Sequence, residues 1–174
     1  MEHLLIPYKR AAMLKDKALA ALEKRLKCSI KVVNGNEVVI EGSPYDEYNA
    51  KNVIQAFGRG FEMDATYKLL SEEYFFEQIN LKDVFHTKDQ ILRVKARIIG
   101  KEGKAKEYIE SVSGVQLAIF GSTVSMIGKI DEIQVAKTAL KVLIEGGMHK
   151  TAYRVMENER KKMRMEEYGR HDSG

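Results

Sequence analysis

Arg93-Val-Lys-Ala-Arg97-Ile98-Ile99-Gly100-Lys101-Glu102-Gly103-Lys104-Ala-Lys106 is the stretch on which the reading of this chain turns. It sets a Gly-x-x-Gly loop between an apolar, strand-like approach and a helix-like exit. Its six Lys and Arg residues stand against one Glu, a local charge of +5, whereas the whole chain carries +4. A tight glycine loop wrapped in positive charge points to a backbone that grips phosphates. Those phosphates belong to a nucleotide, to an RNA strand, or to nothing, and the surroundings must decide.

Working outward, the loop lies in one of two segments that read as the same unit about 86 residues apart. In the later unit Val115-Gln-Leu117-Ala-Ile119 alternates like a half-buried strand, Gly121-Ser122 turns, and Thr123-Val-Ser-Met-Ile127 returns. In the earlier unit Ile30-Lys-Val32-Val33 leads through Asn34-Gly35 to Val38-Val-Ile40. Asn-Gly accepts the positive φ values of a tight hairpin. A glycine (Gly42, Gly128) and a helix follow each hairpin, with Ala50-Lys51 and Ile54 matching Ala136-Lys137 and Leu140. Helical periodicity precedes each hairpin, at Leu19, Leu22 and Leu26 in one unit and at Tyr108-Ile109, Val112 and Val115 in the other. Before each helix stands a β-type segment, Leu4-Leu-Ile6 or Ile91-Leu-Arg-Val94. This order predicts an α+β fold, each unit a three-stranded antiparallel sheet with helices on one face.

Aligning Val115 with Ile30 sets Lys15-Asp16-Lys17-Ala18 against Gly100-Lys101-Glu102-Gly103, so the first copy has lost both glycines. Without them the backbone is less free to adopt positive φ or to approach a ligand. The first copy therefore reads as structural or auxiliary. The expected boundaries are 1–82 for the first domain with its connecting segment, 83–150 for the second, and 151–174 for a basic helical tail. The connecting segment is read as partly helical at Tyr67-Lys-Leu-Leu70, ending in the aromatic cluster Tyr74-Phe75-Phe76, taken as core between the units rather than a base-stacking platform. The tail has a weak apolar face (Val155, Met156, Met163, Met165) and reads as an exposed or partner-docking helix, frayed from Gly169 to Gly174. Its cluster Arg160-Lys161-Lys162 with Arg164 reads as a solvated face.

Composition narrows the classes. The chain has 174 residues, 44% of them hydrophobic, enough for a core. No apolar run approaches the roughly 20 residues of a membrane helix. Met1-Glu2-His3-Leu-Leu-Ile6-Pro7 lacks the features of a signal peptide. The single Cys28 excludes an internal disulfide and fits a reducing, cytoplasmic setting. The four histidines show no metal spacing, and neither a metal nor a cofactor is expected.

Gly-x-x-Gly alone recurs by chance about once in such a chain. A Walker A loop needs Gly-x4-Gly-Lys-Ser/Thr, but Ala105 follows Gly103-Lys104 and Ile98 stands where the first glycine belongs. A dinucleotide fingerprint also fails, and no triad or carboxylate pair stands near the loop. An RNA clamp fits every part. Gly100 and Gly103 let a sugar-phosphate backbone approach bare main chain, helix amides favour anions, and Arg97, Lys101 and Lys104 add charge. Ile98, Ile99, Leu117 and Ile119 are candidates to line an apolar groove for unstacked bases, some of them serving as core. Glu102, the odd member of the loop, is expected to point outward.

These residues carry a resemblance. The later unit resembles a type I KH domain, in which the Gly-x-x-Gly lies between the first two helices. The whole chain is similar to the archaeal two-KH ribosomal RNA-processing family, counterparts of the eukaryotic small-subunit assembly factor called partner of Nob. The matching residues are Gly58-Arg59-Gly60-Phe61 with Leu69-Leu70, Glu72-Glu73-Tyr74-Phe75, Arg97 through Lys104, Ile119-Phe120-Gly121-Ser122-Thr123-Val124, and Leu143-Ile-Glu-Gly146 with His149 and Tyr153-Arg154. The resemblance implies two tandem type I KH domains that bind single-stranded RNA near the 3′ end of small-subunit rRNA, without catalytic activity. It also implies partners in the rRNA 3′-end nuclease and the α subunit of translation initiation factor 2. A protein-interaction adaptor is the competing expectation.

Overall fold

A computed structural model, describing residues 1–172, repeats one order of elements twice. The chain divides after Phe76 into two compact units. The first runs β1 (Glu2–Leu5), α1 (Tyr8–Ala11), α2 (Asp16–Leu26), β2 (Ser29–Val33), β3 (Glu37–Glu41) and α3 (Pro44–Gly58), followed by α4 (Met63–Thr66) and a 3-10 turn at Tyr67–Leu70. The second runs β4 (Phe75–Asn80), α5 (Lys88–Ile99), α6 (Lys104–Ser113), β5 (Gln116–Phe120), β6 (Thr123–Gly128), α7 (Ile130–Ile144) and α8 (His149–His171). The strand orders are β1-β3-β2 and β4-β6-β5, so the last strand in sequence in each unit is the central one.

Local chemistry sets these elements. Asn34 and Gly35 take φ values of 52° and 82° at the first hairpin, and Gly121 takes 56° at the second. Ser43 caps α3 by accepting from the Asp46 amide at 3.2 Å, with Pro44 at the first helical position. Thr87 and Gln90 close a reciprocal capping box on α5. Leu22, Ile30, Val38, Ile40 and Ile54 are buried in the first unit, and Ile98, Ile109, Leu117, Met126 and Leu140 in the second.

Several expectations change. Ile91-Leu-Arg-Val94 is not a strand but part of α5. Val94 and Ile98 are buried and Ile91 packs beside them, the spacing of one helix face. The opening strand of the second unit is β4, which pairs with β6, so the boundary falls between Phe76 and Glu77 rather than at 82/83. Phe76 packs edge-on against Phe61 inside the first unit, with ring centroids 6.4 Å apart, and Phe75 is exposed. The aromatic run is thus a strand start, not a separate core. Residues 151–172 are not a detached tail. α8 begins at His149 and buries Ala152 and Met156 in the core of the second unit. It stays helical through His171; Ser173 and Gly174, expected to fray, lie outside the described residues.

The internal alignment also moves by two residues. A Cβ on Gly42 would sit 2.8 Å from Cys28 Sγ, and one on Gly128 would sit 2.8 Å from Val115 Cγ1. Ile30 faces Ile40 across the hairpin as Leu117 faces Met126. Cys28 therefore matches Val115, and the counterpart of Gly100–Gly103 is Met13-Leu14-Lys15-Asp16. The hairpin loop is one residue longer in the first unit, which accounts for one residue of the slip.

Candidate nucleic-acid interface

The loop joins two helices, α5 and α6, and its glycines have different jobs. Gly100 lies at φ 74°, ψ 176°, a region essentially reserved for glycine. A Cβ there would lie 2.5 Å from Ala105 Cβ and 2.8 Å from the Ala105 amide nitrogen. Gly100 is thus the hinge that lets α6 start close against the end of α5. Gly103 (φ 75°, ψ 9°) is the N-cap of α6, and a Cβ there would meet nothing within 4 Å. No side chain caps that helix, so its first-turn amides lie behind a bare glycine. This is the geometry an anion can approach.

Charge surrounds the opening. Lys101, Glu102 and Lys104 are exposed on a short 3-10 turn, where Glu102 itself takes φ 58°. Glu102 points outward as expected and lies 3.7 Å from Lys104, a pair too solvated to hold the lysine. Lys106 sits one turn further, 3.6 Å from Glu110.

Other predicted residues have different surroundings. Ile98 is fully buried and Leu117 nearly so, both packed in the core. Neither reaches a groove. Ile99 and Ile119 are half-buried and keep part of their surface accessible. Arg97 is braced: its guanidinium donates to the Gly147 carbonyl, and His149 Nε2 donates to the Arg97 carbonyl at 2.7 Å. It secures the α7–α8 turn to α5 instead of standing free for phosphate. In the tail cluster, Arg160 lies 3.6 Å from Asp131, while Lys161, Lys162 and Arg164 are exposed.

Two residues were passed over. In the corrected alignment Lys95 on α5 and Lys106 on α6 match Tyr8 and Leu19, which line a cleft in the first unit. Both lysines stood in the basic run; the structure sets them on α5 and α6, the two helices the loop joins. β5 is an edge strand of the same unit's sheet. Among the described residues no cluster of His, Cys, Asp or Glu could hold a metal, and no helix is long and apolar enough to cross a membrane.

A family model described as a eukaryotic type KH-domain (KH-domain type I), the second such domain of PNO1, matches residues 75–161. Those limits start on β4 and take in the loop, α7 and the docked half of α8. The chain belongs to the PNO1-type KH family. A KH domain-containing protein of Methanocaldococcus jannaschii is 34% identical over 172 residues, covering 94% of this chain and 76% of its own length. The pre-rRNA-processing protein PNO1 of Chaetomium thermophilum is 29% identical over 135 residues, covering 75% of this chain and 49% of that protein. The chain thus spans about half the length of that eukaryotic relative. Among solved structures, one of a complex of a/eIF2alpha, aDim2p and rRNA from Pyrococcus horikoshii contains a chain 34% identical, with a TM-score of 0.84 over 92% of this chain and 94% of that one. In this chain the Gly-x-x-Gly lies between α5 and α6, the first two helices of the second unit. The strand-like approach expected from Ile91–Val94 gives way to that arrangement.

Proposed function

We propose that this protein binds single-stranded RNA in the maturation of the 3′ end of small-subunit rRNA, and that the Gly100–Gly103 loop grips the RNA backbone. The observation that carries the reading is Gly103: positive φ, open space where a side chain would be, and the uncapped start of α6 behind it. Lys101 and Lys104 hold charge over the opening, Lys95 and Lys106 extend it along the helices, and Ile99 and Ile119 offer apolar edges to bases. The family's pre-rRNA-processing members and a relative's complex with rRNA support the choice of RNA. That complex also supports the α subunit of initiation factor 2 as a protein partner. The rRNA nuclease as a partner and the absence of catalysis rest on the family resemblance, and a cytoplasmic location on the single cysteine, Cys28. The first unit is a second KH copy whose loop has lost its glycines.

The test is Gly103→Asp. Asp is tolerated at this backbone geometry, because Asp16 holds φ 46° at the matching place in the first unit. Binding of a fluorescent single-stranded oligonucleotide from the rRNA 3′ end should weaken at least tenfold with an unchanged melting temperature. Unchanged affinity would sink the assignment. Affinity of the parent protein should also fall steadily with added salt. Replacing Gly100 in the same experiment would confound it, since the Ala105 clash disturbs the fold. Deleting the chain after Lys150 would be no cleaner, because it removes Ala152 and Met156 from the core.

A further inference from the structure

α8 docks on the second unit by one side and is charged on the other. Ala152 and Met156 are buried in the core, with Tyr153 and Met163 packed beside them. Charges on the docked side are satisfied within the unit: Tyr108 donates to Glu157, and Arg160 lies 3.6 Å from Asp131. What faces water is of one sign. Between His149 and Arg164 the exposed residues are Lys150, Arg154, Asn158, Lys161, Lys162 and Arg164, while Glu157 and Glu159 are half-buried. None of those cations forms an ion pair among the described residues.

The spacing makes this face a track. Steps of four, four and three residues put Lys150, Arg154, Asn158 and Lys161 on one stripe of α8, about 16 Å long from helical rise. Lys162 and Arg164 flank it. Exposed acids mark its limits: Glu145 before the helix, Glu166 and Glu167 beyond Met165, and Glu107 on neighbouring α6. The stripe begins near the loop, because the Arg97 bonds to Gly147 and His149 tie the start of α8 to the end of α5, three residues before Gly100. Its chemistry differs from the loop's. No aromatic or aliphatic side chain is exposed between His149 and Arg164, so unstacked bases find no ring to lie on and a membrane no apolar face. Side chains that only pair charge or donate hydrogen bonds suit phosphates whose bases are turned away, as in a double helix.

We infer that the outward face of α8 is a second nucleic-acid contact, for the phosphates of a double-helical RNA segment adjoining the single strand held by the loop. The choice of RNA as the polyanion rests on the reading of the loop given above. Lys150, Arg154 and Lys161 neutralise phosphates along the stripe, and Asn158 donates to a phosphate or a ribose 2′-hydroxyl. Such contacts carry no base sequence. α8 therefore adds affinity and fixes the direction in which the duplex leaves the loop.

The probes are the single-stranded rRNA 3′-end oligonucleotide alone and the same oligonucleotide extended by a short hairpin at one end or the other. The full chain should bind one hairpin form at least tenfold tighter than the bare strand. A triple variant, Lys150→Gln with Arg154→Gln and Lys161→Gln, should lose that gain and hold its affinity for the bare strand. For the hairpin form its slope of log affinity against log salt should fall by about 2–3. All three positions are exposed and Gln is a good helix former, so the melting temperature should not move. Gly103→Asp should weaken the bare strand and leave the hairpin gain standing, which separates a failure of the loop from a failure of α8. No gain from either hairpin, a gain the triple variant keeps, or an equal loss on both RNAs overturns the inference. So does polyglutamate bound as tightly as the hairpin and released by the same substitutions, which would make the face a site for acidic protein.

Discussion

In the first unit Glu23 accepts from the Ile30 amide at 2.7 Å, and in the second Glu110 accepts from the Leu117 amide at 2.9 Å. Lys51 reaches Glu2 at 2.8 Å, from the last helix of the repeated order back to its first strand, and Lys137 reaches Glu77 at 2.5 Å in the same way. Lys27 and Gly114 end matching helices in the left-handed conformation. The agreement stops at the loop between the first two helices. There the second unit has positive φ at Gly100, Glu102 and Gly103, and the first has it at Asp16 alone. The frame and the working surface have therefore varied independently. Buried and hydrogen-bonded positions keep their chemistry because changing them costs stability; the loop and cleft lining sit outside that constraint.

The sharpest way to break the comparison is at the first loop position. Gly100→Ala brings strain from the glycine-only backbone region together with overpacking against Ala105, about 3–5 kcal/mol in sum. Met13→Ala, at the matching but exposed position, should change the melting temperature little. Equal effects would mean that the two loops are not counterparts. Next comes Met156→Ala on α8, an element the repeated order lacks in the first unit. Met156 is fully buried, so truncation should cost about 3 kcal/mol, read by denaturant unfolding. Hydrogen exchange should rise in α6 and α7, which pack against α8, and stay level in β1–β3.

A smaller effect is expected where the loops differ in charge. Gly103→Asp imports the first unit's residue and should cost at least tenfold in RNA affinity, about 1.4 kcal/mol. The reverse exchange, Asp16→Gly, should add no RNA binding measurable by anisotropy. The apolar lining of Tyr8, Leu14 and Leu19 remains, and Met13 still occupies the hinge. A gain of binding from that one change would show that the glycine outweighs the lining.

Much of this architecture was legible in the chain. Asn34-Gly35 and Gly121-Ser122 marked both hairpins, and Ala50, Ile54, Ala136 and Leu140 are all fully buried on the matched helices. What failed did so for physical reasons. Ile91-Leu-Arg-Val94 has strand-favouring residues, and only the spacing to Ile98 and the Thr87–Gln90 capping box reveal a helix. Of the neighbours Ile98 and Ile99, helical phase alone decides which is core and which stays half-exposed. The tail's apolar face looked weak because Met163 is only half-buried and Met165 exposed, while Ala152 and Met156 carry the docking. For the site, composition showed the charge but not that Arg97 is braced by Gly147 and His149.

The gentlest separation of the units is by pH. His3 Nδ1 lies 2.7 Å from Glu37, across the β1–β3 ladder, and holds the Glu37 carboxyl below its ordinary value. Glu47 is lowered as well, by the N-terminal ammonium and then by the Gly42 amide. A carboxyl lowered by folding stabilises above its unfolded pKa, and that contribution fades as pH falls through the folded value. Acid should therefore loosen the first unit through these contacts, and Glu37→Gln should flatten part of the response. In the second unit Tyr108 donates to Glu157 between α6 and α8, and its phenol is raised by that bond and then by burial. A raised phenol stabilises below its unfolded pKa, about 10, and the contribution is lost as pH climbs through the folded value. Alkali should then loosen α8, an effect Tyr108→Phe should remove. The His3–Glu37 pair is exposed and the Tyr108–Glu157 pair half-buried, so both responses are read as local opening. Amide exchange resolved by residue, at pH 4, 7 and 10.5, is the measurement able to see them; the same acid response with and without Glu37 would rule out its part.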